Sequence, residues 1–416
     1  MLSLDKYSFG VGDRFGRQAK SQLAAFQKLA EQGVRVAPVW NKSNREHTFI
    51  GSEPRSVWAA ASAAVSELGW DGRWYVDADH VQLATVGRFI DCSNFFTLDV
   101  ADYIGQPAAA EEVDDFLRRH SDLVGEVDVA GLAEPIRVTA DVVHRVADQY
   151  LTAAVQAGEL YRHLVRERGS DDFVTEVSMD ETDRPQTPPE LLIILAALAD
   201  AGVPLQTIAP KFTGRFNKGV DYQGDLAVFE REFSDDVAVI RHAVTAFGMP
   251  EGLKLSVHSG SDKFSLYPII HRAIERTGCG IHVKTAGTTW LEELIGLAEA
   301  EGDGLELAKD VYAYALSHAE ELCRPYASVI EVDAAALPPE REVRRWDGAR
   351  FASSVRHVPA HPHYNASMRQ LLHVSFKVAA SEGARYLDLL AANEAIVARH
   401  VTGNILARHL EPIFVG

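Results

Sequence analysis

The chain has 416 residues and a formal net charge of −18, with 47% apolar and 24% charged residues, a balance that suits one large globular α/β enzyme. Negative charge spread along the whole length argues against nucleic-acid or anionic-membrane partners, which need basic footprints. Apolar runs such as Leu191–Leu198 fall far short of the ~20 residues of a membrane span. The opening Met1-Leu2-Ser3-Leu4-Asp5-Lys6 lacks the basic start and apolar core of a secretory signal, so a cytoplasmic protein is expected.

The recurring unit is a short apolar strand, a polar loop and an amphipathic helix. Arg35–Trp40 precedes a polar segment from Asn41 to His47, with a helix after Pro54. Trp74–Val76 leads into Asp77-Ala78-Asp79-His80, and Phe173–Val177 into Ser178-Met179-Asp180-Glu181-Thr182, after which Pro188 opens a helix through Ala201. Gln206–Ala209 leads into Pro210-Lys211-Phe212 and a helix from about Asp225. Lys254–Val257 leads into a histidine–serine–glycine loop and a helix near Ser265–Arg276, and Gly280–Val283 into Lys284-Thr285 and a further helix. Alternation at this spacing implies a parallel sheet with helical crossovers.

The polar residues follow the strands' C-terminal ends, where (β/α)8 barrels of the TIM type build their sites. A doubly wound open sheet shares that trait, but Gly-x-Gly-x-x-Gly and Gly-Lys-Ser/Thr turns are absent, so the barrel is preferred. Such a barrel needs ~250 residues. The acidic stretch Ala108–Val129 and the helical pattern Thr139–Arg168 read as an insertion spanning about 108–168, and Ala366 to the C-terminus (about 366–416) as a helical extension. No repeat or linker breaks the chain, so one decorated domain is expected.

Three cysteines, Cys92, Cys279 and Cys323, form no CxxC pair, which fits reduced, packed thiols. The chemistry concentrates in Asp79-His80 and in His258 with Ser259-Gly260-Ser261 behind it. Neutral imidazoles at two strand ends, one with a carboxylate beside it, suit a divalent cation and an acid/base group. A helix cap would explain Asp79 without chemistry, and a satisfied half-buried ring would explain His258. Asp77 adds a second carboxylate as base or anchor.

His282, at the end of the next strand, and Glu176, a carboxylate within an apolar strand, are alternatives for a third ligand. His361-Pro362-His363 reads as a surface pair and His373 as a core residue of an apolar helix face. Lys42, Lys211, Arg215, Lys218, Lys263 and Lys284 follow strands in an acidic chain, and Lys211, Lys263 and Lys284 are the strongest candidates for a carboxylate or phosphate substrate.

Pro38-Val39-Trp40-Asn41-Lys42-Ser43-Asn44-Arg45-Glu46-His47, Val76–His80, His258–Phe264, His282–Trp290, Tyr364-Asn365 and Arg369–Val374 together resemble the tagaturonate epimerase family over most of the chain. The resemblance implies a divalent-metal-dependent epimerase interconverting D-tagaturonate and D-fructuronate in hexuronate catabolism, with a sugar acid as its small-molecule partner; an oligomer is possible. A looser similarity to class II aldolases implies Asp79 as the acid/base group and His80 and His258 as ligands. Those aldolases have a further histidine where Lys211 and Phe212 stand, so His282 or Glu176 must complete the set.

Histidine-rich ligation leans towards zinc, nickel or manganese. Catalytic roles are thus expected for Asp79 and Glu176, metal binding for His80, His258 and His282, and substrate binding for Asn41, Lys42, Asp77, Lys211, Arg215, Ser259, Lys263 and Lys284. A metal-dependent aldolase or sugar isomerase, or a silent sugar-acid binding protein, are the competing readings.

Overall fold

The computed structural model describes residues 2–180, 182–285 and 287–416; Glu181 and Ala286, which fall inside two of the segments quoted above, lie outside them. The strands are β1 (Tyr7–Gly12), β2 (Ala37–Ser43), β3 (Tyr75–Val81), β4 (Phe95–Asp99), β5 (Gly125–Val127), β6 (Ile136–Val138), β7 (Val174–Met179), β8 (Thr207–Pro210), β9 (Lys254–His258) and β10 (Ile281–Thr285). Eight of them close a barrel in the order β1-β10-β9-β8-β7-β4-β3-β2. Every pairing around it is parallel, as strand–helix alternation requires. The expected (β/α)8 barrel is the fold.

Period-two alternation sorts the inward residues into layers. At the N-terminal end, Leu4, Ala37, Val39, Tyr75, Phe95 and Val174 form a small apolar cluster of their own that seals the barrel floor. Above it the inward side chains become polar: Ser8, Asp77, Thr97, Glu176, Thr207, Ser256 and His282 are all buried. Gly10 lies among them because a Cβ there would stand 3.0 Å from Lys284 Cγ and 3.1 Å from Asn41 Nδ2. The large aliphatic core lies outside, between the strands and the surrounding helices.

The stretch after β4 divides into two parts. Helix Ala110–Arg119 and the antiparallel β5–β6 ribbon are additions. The 29-residue helix Ala140–Arg168 is instead the crossover from β4 to β7, so only the first part of the expected insertion departs from the barrel plan. Thr139 caps this helix by accepting from Val142 N–H, and Gly169 in the left-handed region ends it.

Extra helices begin at Gly302, earlier than the expected Ala366, and run to Phe414. They enclose the barrel helix Thr288–Glu299, whose residues Thr288 to Ala298 are all buried. Gly296 permits the close packing: a Cβ there would come 2.9 Å from Val397 Cα. Among the described residues no helix is long and apolar enough to cross a membrane.

Enclosure has an electrostatic cost. Glu292 is buried on this helix, where it accepts from Asn404 Nδ2 at 3.1 Å, and burial pushes its pKa up to about 7. A carboxyl whose folded pKa lies above its unfolded value contributes stability below the unfolded pKa, and that contribution fades as pH rises through the folded one. Glu292→Gln keeps the acceptor and removes the titration. The stability of the variant relative to the parent should therefore increase between pH 5 and pH 8, by up to ~3 kcal/mol, as read from urea unfolding at each pH.

Candidate active site

The C-terminal mouth is organised around one ammonium. Lys284, inward from β10, places Nζ 2.8 Å from Asp77 Oδ2, 2.9 Å from Asp79 Oδ1 and 2.9 Å from Glu176 Oε1. It also donates to Thr97 Oγ1 at 2.8 Å. Contacts from β3, β4 and β7 thus converge on one side chain of β10. Burial opposes its charge, but the three carboxylates outweigh burial and raise the Lys284 pKa well above the ordinary lysine value. Burial likewise favours neutral Asp79 and Glu176, yet Lys284 and the neighbouring imidazoles hold both below the usual carboxylate range. Burial dominates at Asp77 and pushes it up to about 6.

Two imidazoles stand on this base. His80 Nδ1 donates to Asp79 Oδ1 at 2.9 Å, and His258 Nε2 donates to Glu176 Oε1 at 2.8 Å. Each carboxylate fixes a ring's orientation and turns its other nitrogen toward Asp180: His258 Nδ1 is 3.3 Å from Asp180 Oδ2 and His80 Nε2 is 3.8 Å from Asp180 Oδ1. The ring centroids are 5.3 Å apart. One ligand atom each from His80, Asp180 and His258 lies within 4.8 Å of the other two.

His80 reaches this place through a distorted backbone. The β3–β4 register shifts between Ala78 and Val81, and His80 has φ 53°, a left-handed conformation that costs a non-glycine residue ~1–2 kcal/mol. Irregularities of this kind re-aim side chains beside functional sites.

These residues fit a divalent cation. Among the described residues of the cluster, four carboxylates (Asp77, Asp79, Glu176, Asp180) face the single ammonium of Lys284, an excess of buried negative charge that a cation would offset. Carboxylates behind both imidazoles also reproduce the arrangement that fixes the ligand tautomer at histidine metal sites.

Asp180 is the residue that the sequence reading missed. It follows Glu176 and Ser178 at two-residue steps, the inward period of β7, and accepts from Ser178 Oγ. His282 is corrected in the opposite sense. It lies one inward step below Lys284, fully buried, with Nδ1 against Ser8 Oγ at 2.9 Å. Burial drives its pKa down to about 3. It fills the barrel as a neutral ring, outside the His80–Asp180–His258 group. Glu176 does join the site but beneath the ligand group, with Oε2 accepting from Thr207 at 2.7 Å and Oε1 from Thr97, His258 and Lys284.

The basic residues separate in the same way. Lys284 anchors the cluster and Asp77 is its partner. Lys263 is sealed in, donating to the carbonyls of Asn217 and Val220 at 3.0 and 2.9 Å. Lys42 is buried against Arg14 O at 2.7 Å and Ser52 Oγ at 3.0 Å. Lys211 donates to Thr182 O, and Arg215 pairs with Glu331 at the surface. Ser259 Oγ donates to Lys284 O at 2.9 Å and braces two strand ends. These five side chains are tied to the protein itself. Asn41 differs, because it is buried and neither amide atom has a hydrogen-bond partner among the described residues.

A closed parallel barrel with a polar, acid-rich mouth at its strand C-termini defines a barrel enzyme. A sequence profile of UxaE, tagaturonate epimerase, matches residues 1–411. The chain is 30% identical to the tagaturonate/fructuronate epimerase of Thermotoga maritima, over 96% of this chain and 80% of that protein. Two crystal structures of the fructuronate-tagaturonate epimerase of Cohnella laeviribosi, one with a glycerol bound and one native, each match with TM-score 0.81 and 25% identity. They cover 99% of this chain and 83% and 82% of theirs. The chain belongs to the tagaturonate epimerase family and is an epimerase, an enzyme of the isomerase class.

The Lys284 cluster makes a sharp stability prediction. Lys284→Met leaves three buried carboxylates without their cation and should cost ~3–5 kcal/mol, read as a fall in the urea midpoint of metal-free protein at pH 8. Adding Asp77→Asn to that variant should recover part of the loss.

Proposed function

We propose that the enzyme interconverts D-tagaturonate and D-fructuronate at a divalent cation held by His80, His258 and Asp180. The single observation that carries this reading is the convergence of two carboxylate-oriented imidazoles and Asp180 at the mouth, in a chain of this family. When bound, the cation would polarise the substrate ketone and favour negative charge on it. Histidine-rich ligation supports zinc, nickel or manganese over magnesium.

The two sugar acids differ at a carbinol carbon β to the ketone, whose C–H the carbonyl does not acidify. Removing the hydroxyl proton on that carbon instead lets the adjacent C–C bond break. The electron pair passes toward the ketone, leaving an enediolate fragment and an aldehyde. The aldehyde turns its other face, the C–C bond reforms, and the proton returns to the new alkoxide. No atom is gained or lost, so the sequence is an epimerisation.

Asp79 is our choice for the group that takes and returns this proton. It is the most exposed of the three carboxylates around Lys284, at 8% against 2% for Asp77 and 0% for Glu176. Burial opposes its charge, but Lys284 and His80 hold it ionised, which leaves it able to accept a proton while making it a weaker base than a free carboxylate. Glu176, with both oxygens engaged, acts by orienting His258. Asn41, inward from β2 near Lys284, has an unused amide for a substrate hydroxyl or ketone.

Proton NMR of tagaturonate incubated with the purified enzyme should show one epimeric product that disappears with a chelator and returns with Mn2+ or Zn2+. Released three-carbon fragments would point to an aldolase instead. Asp79→Asn should lower kcat by ~10³-fold or more while retaining bound metal at saturating concentration. His258→Ala should lose metal, measured by elemental analysis.

A further inference from the structure

The seam between β8 and β9 is short. Only Thr207 with Lys254 and Ile208 with Leu255 pair along it, so the ladder stops well below His258. On the other side, β10 pairs with β9 as far up as Lys284 and His258. β8 ends in Pro210, which has no N–H with which to continue a ladder. Backbone pairing therefore supports His258 from one neighbour only. The loop after β8 then runs from 211 to 225 before its helix begins at Leu226.

Lys263 closes this seam at the level of the mouth. It is fully buried, and its Nζ donates to Asn217 O at 3.0 Å and Val220 O at 2.9 Å, both in the loop after β8. In its own loop after β9 it donates to Ser261 Oγ at 3.1 Å and Asp262 O at 3.2 Å. Four acceptors surround one nitrogen, and an ammonium is the side-chain group that offers three donors from a single atom. Gly219, between the two gripped carbonyls, has φ 78° and gives its N–H to Ser261 Oγ at 2.9 Å. Asp221 accepts from Ser265 N–H at 3.2 Å and from Ser265 Oγ at 3.0 Å. All these contacts join the same two loops. Burial pulls the Lys263 pKa down to about 7, while Asp262 and Asp221 favour its charge. Without the ammonium, buried carbonyls of the loop after β8 would lose their donor, and opening the seam to water would be their way to recover one.

We propose that Lys263 is a positioning residue for the reaction: it touches no substrate, and its ammonium supplies what the β8–β9 ladder lacks, locking the two loops together and so fixing where His258 stands. The proposal rests on the reading that His258 holds a divalent cation.

The test removes the ammonium and returns it as a free ion. Lys263→Ala leaves a gap that propylammonium matches in length and charge, and that propan-1-ol matches in length alone. Hydrogen exchange is followed by mass spectrometry on the full chain, and Mn2+ affinity by calorimetry. In Lys263→Ala, exchange should rise together over residues 213–224 and 259–266, and Mn2+ binding should weaken by ~10-fold. Propylammonium should reverse both changes and propan-1-ol neither, a charge-specific rescue that mere loss of packing would not show. If Lys263→Ala is unfolded by circular dichroism, Ser261→Ala decides, since it removes the hydroxyl shared by Gly219 N–H and Lys263 and should raise exchange in both loops. Unchanged exchange after β8, unchanged Mn2+ affinity once both loops have opened, or equal rescue by the alcohol would overturn the proposal. A parent that binds no Mn2+ would remove the cation reading, and the exchange data would still decide whether Lys263 locks the loops.

Discussion

The arrangement of the mouth depends on the Lys284 ammonium inside the barrel. Three carboxylates and a threonine hydroxyl from β3, β4 and β7 meet it at hydrogen-bond distance. Each carboxylate alone would be costly to bury, and together they would repel one another. With the ammonium between them they become fixed points, and Asp79 and Glu176 each carry an imidazole on the same oxygen that meets Lys284. Ring orientation at the mouth is therefore set one layer below it. Reorganising that layer would disturb four strands at once, which is the rigidity a preorganised site needs.

This base stops short of neutrality. One ammonium cannot offset the charge of Asp77, Asp79 and Glu176 with Asp180 beside them. Burial lowers both His80 and His258, but Asp79 and Asp180 reverse this at His80, and Asp180 and Glu176 reverse it at His258.

Much of this was legible in the sequence, because a barrel writes its strands as short apolar runs and places polar residues after them. Asp79, His80, His258 and Lys284 were found that way. Asp180 was passed over because the Ser178–Thr182 run reads as an ordinary polar loop; only the inward period from Glu176 through Ser178 marks it. His282 and Lys284 look equivalent in sequence, two residues apart at a strand end, but that spacing is one layer of depth and separates a neutral filler from the central cation. Lys42, Lys211 and Lys263 resembled substrate ligands because strand-end position is visible in a sequence, whereas capture by a nearby carbonyl is not. The strain at His80 was invisible too, since a bulge depends on pairing with β4.

The C-terminal helices, read from sequence as an extension, are part of the site's construction. Asp262, four residues beyond His258, is fully buried and accepts from Arg369 at 2.6 Å, His357 at 3.0 Å and Thr288 at 2.9 Å, with His409 Nε2 at 3.3 Å. One carboxylate thereby joins the loop after β9 to the barrel helix after β10 and to three separate parts of the C-terminal region. Burial opposes its charge, but Arg369 and the two histidines hold it well below the usual carboxylate range. Arg369 spans the junction further, donating to Gly219 O at 2.6 Å and Val355 O at 2.7 Å. Because Arg369 and His373 are one helical turn apart on the same helix, the ion pair that fastens this helix to the barrel also fixes the height of the imidazole above the mouth. A bare barrel would keep the cluster around Lys284 but lose the support of the His258 loop, so the added helices belong to the architecture of the mouth.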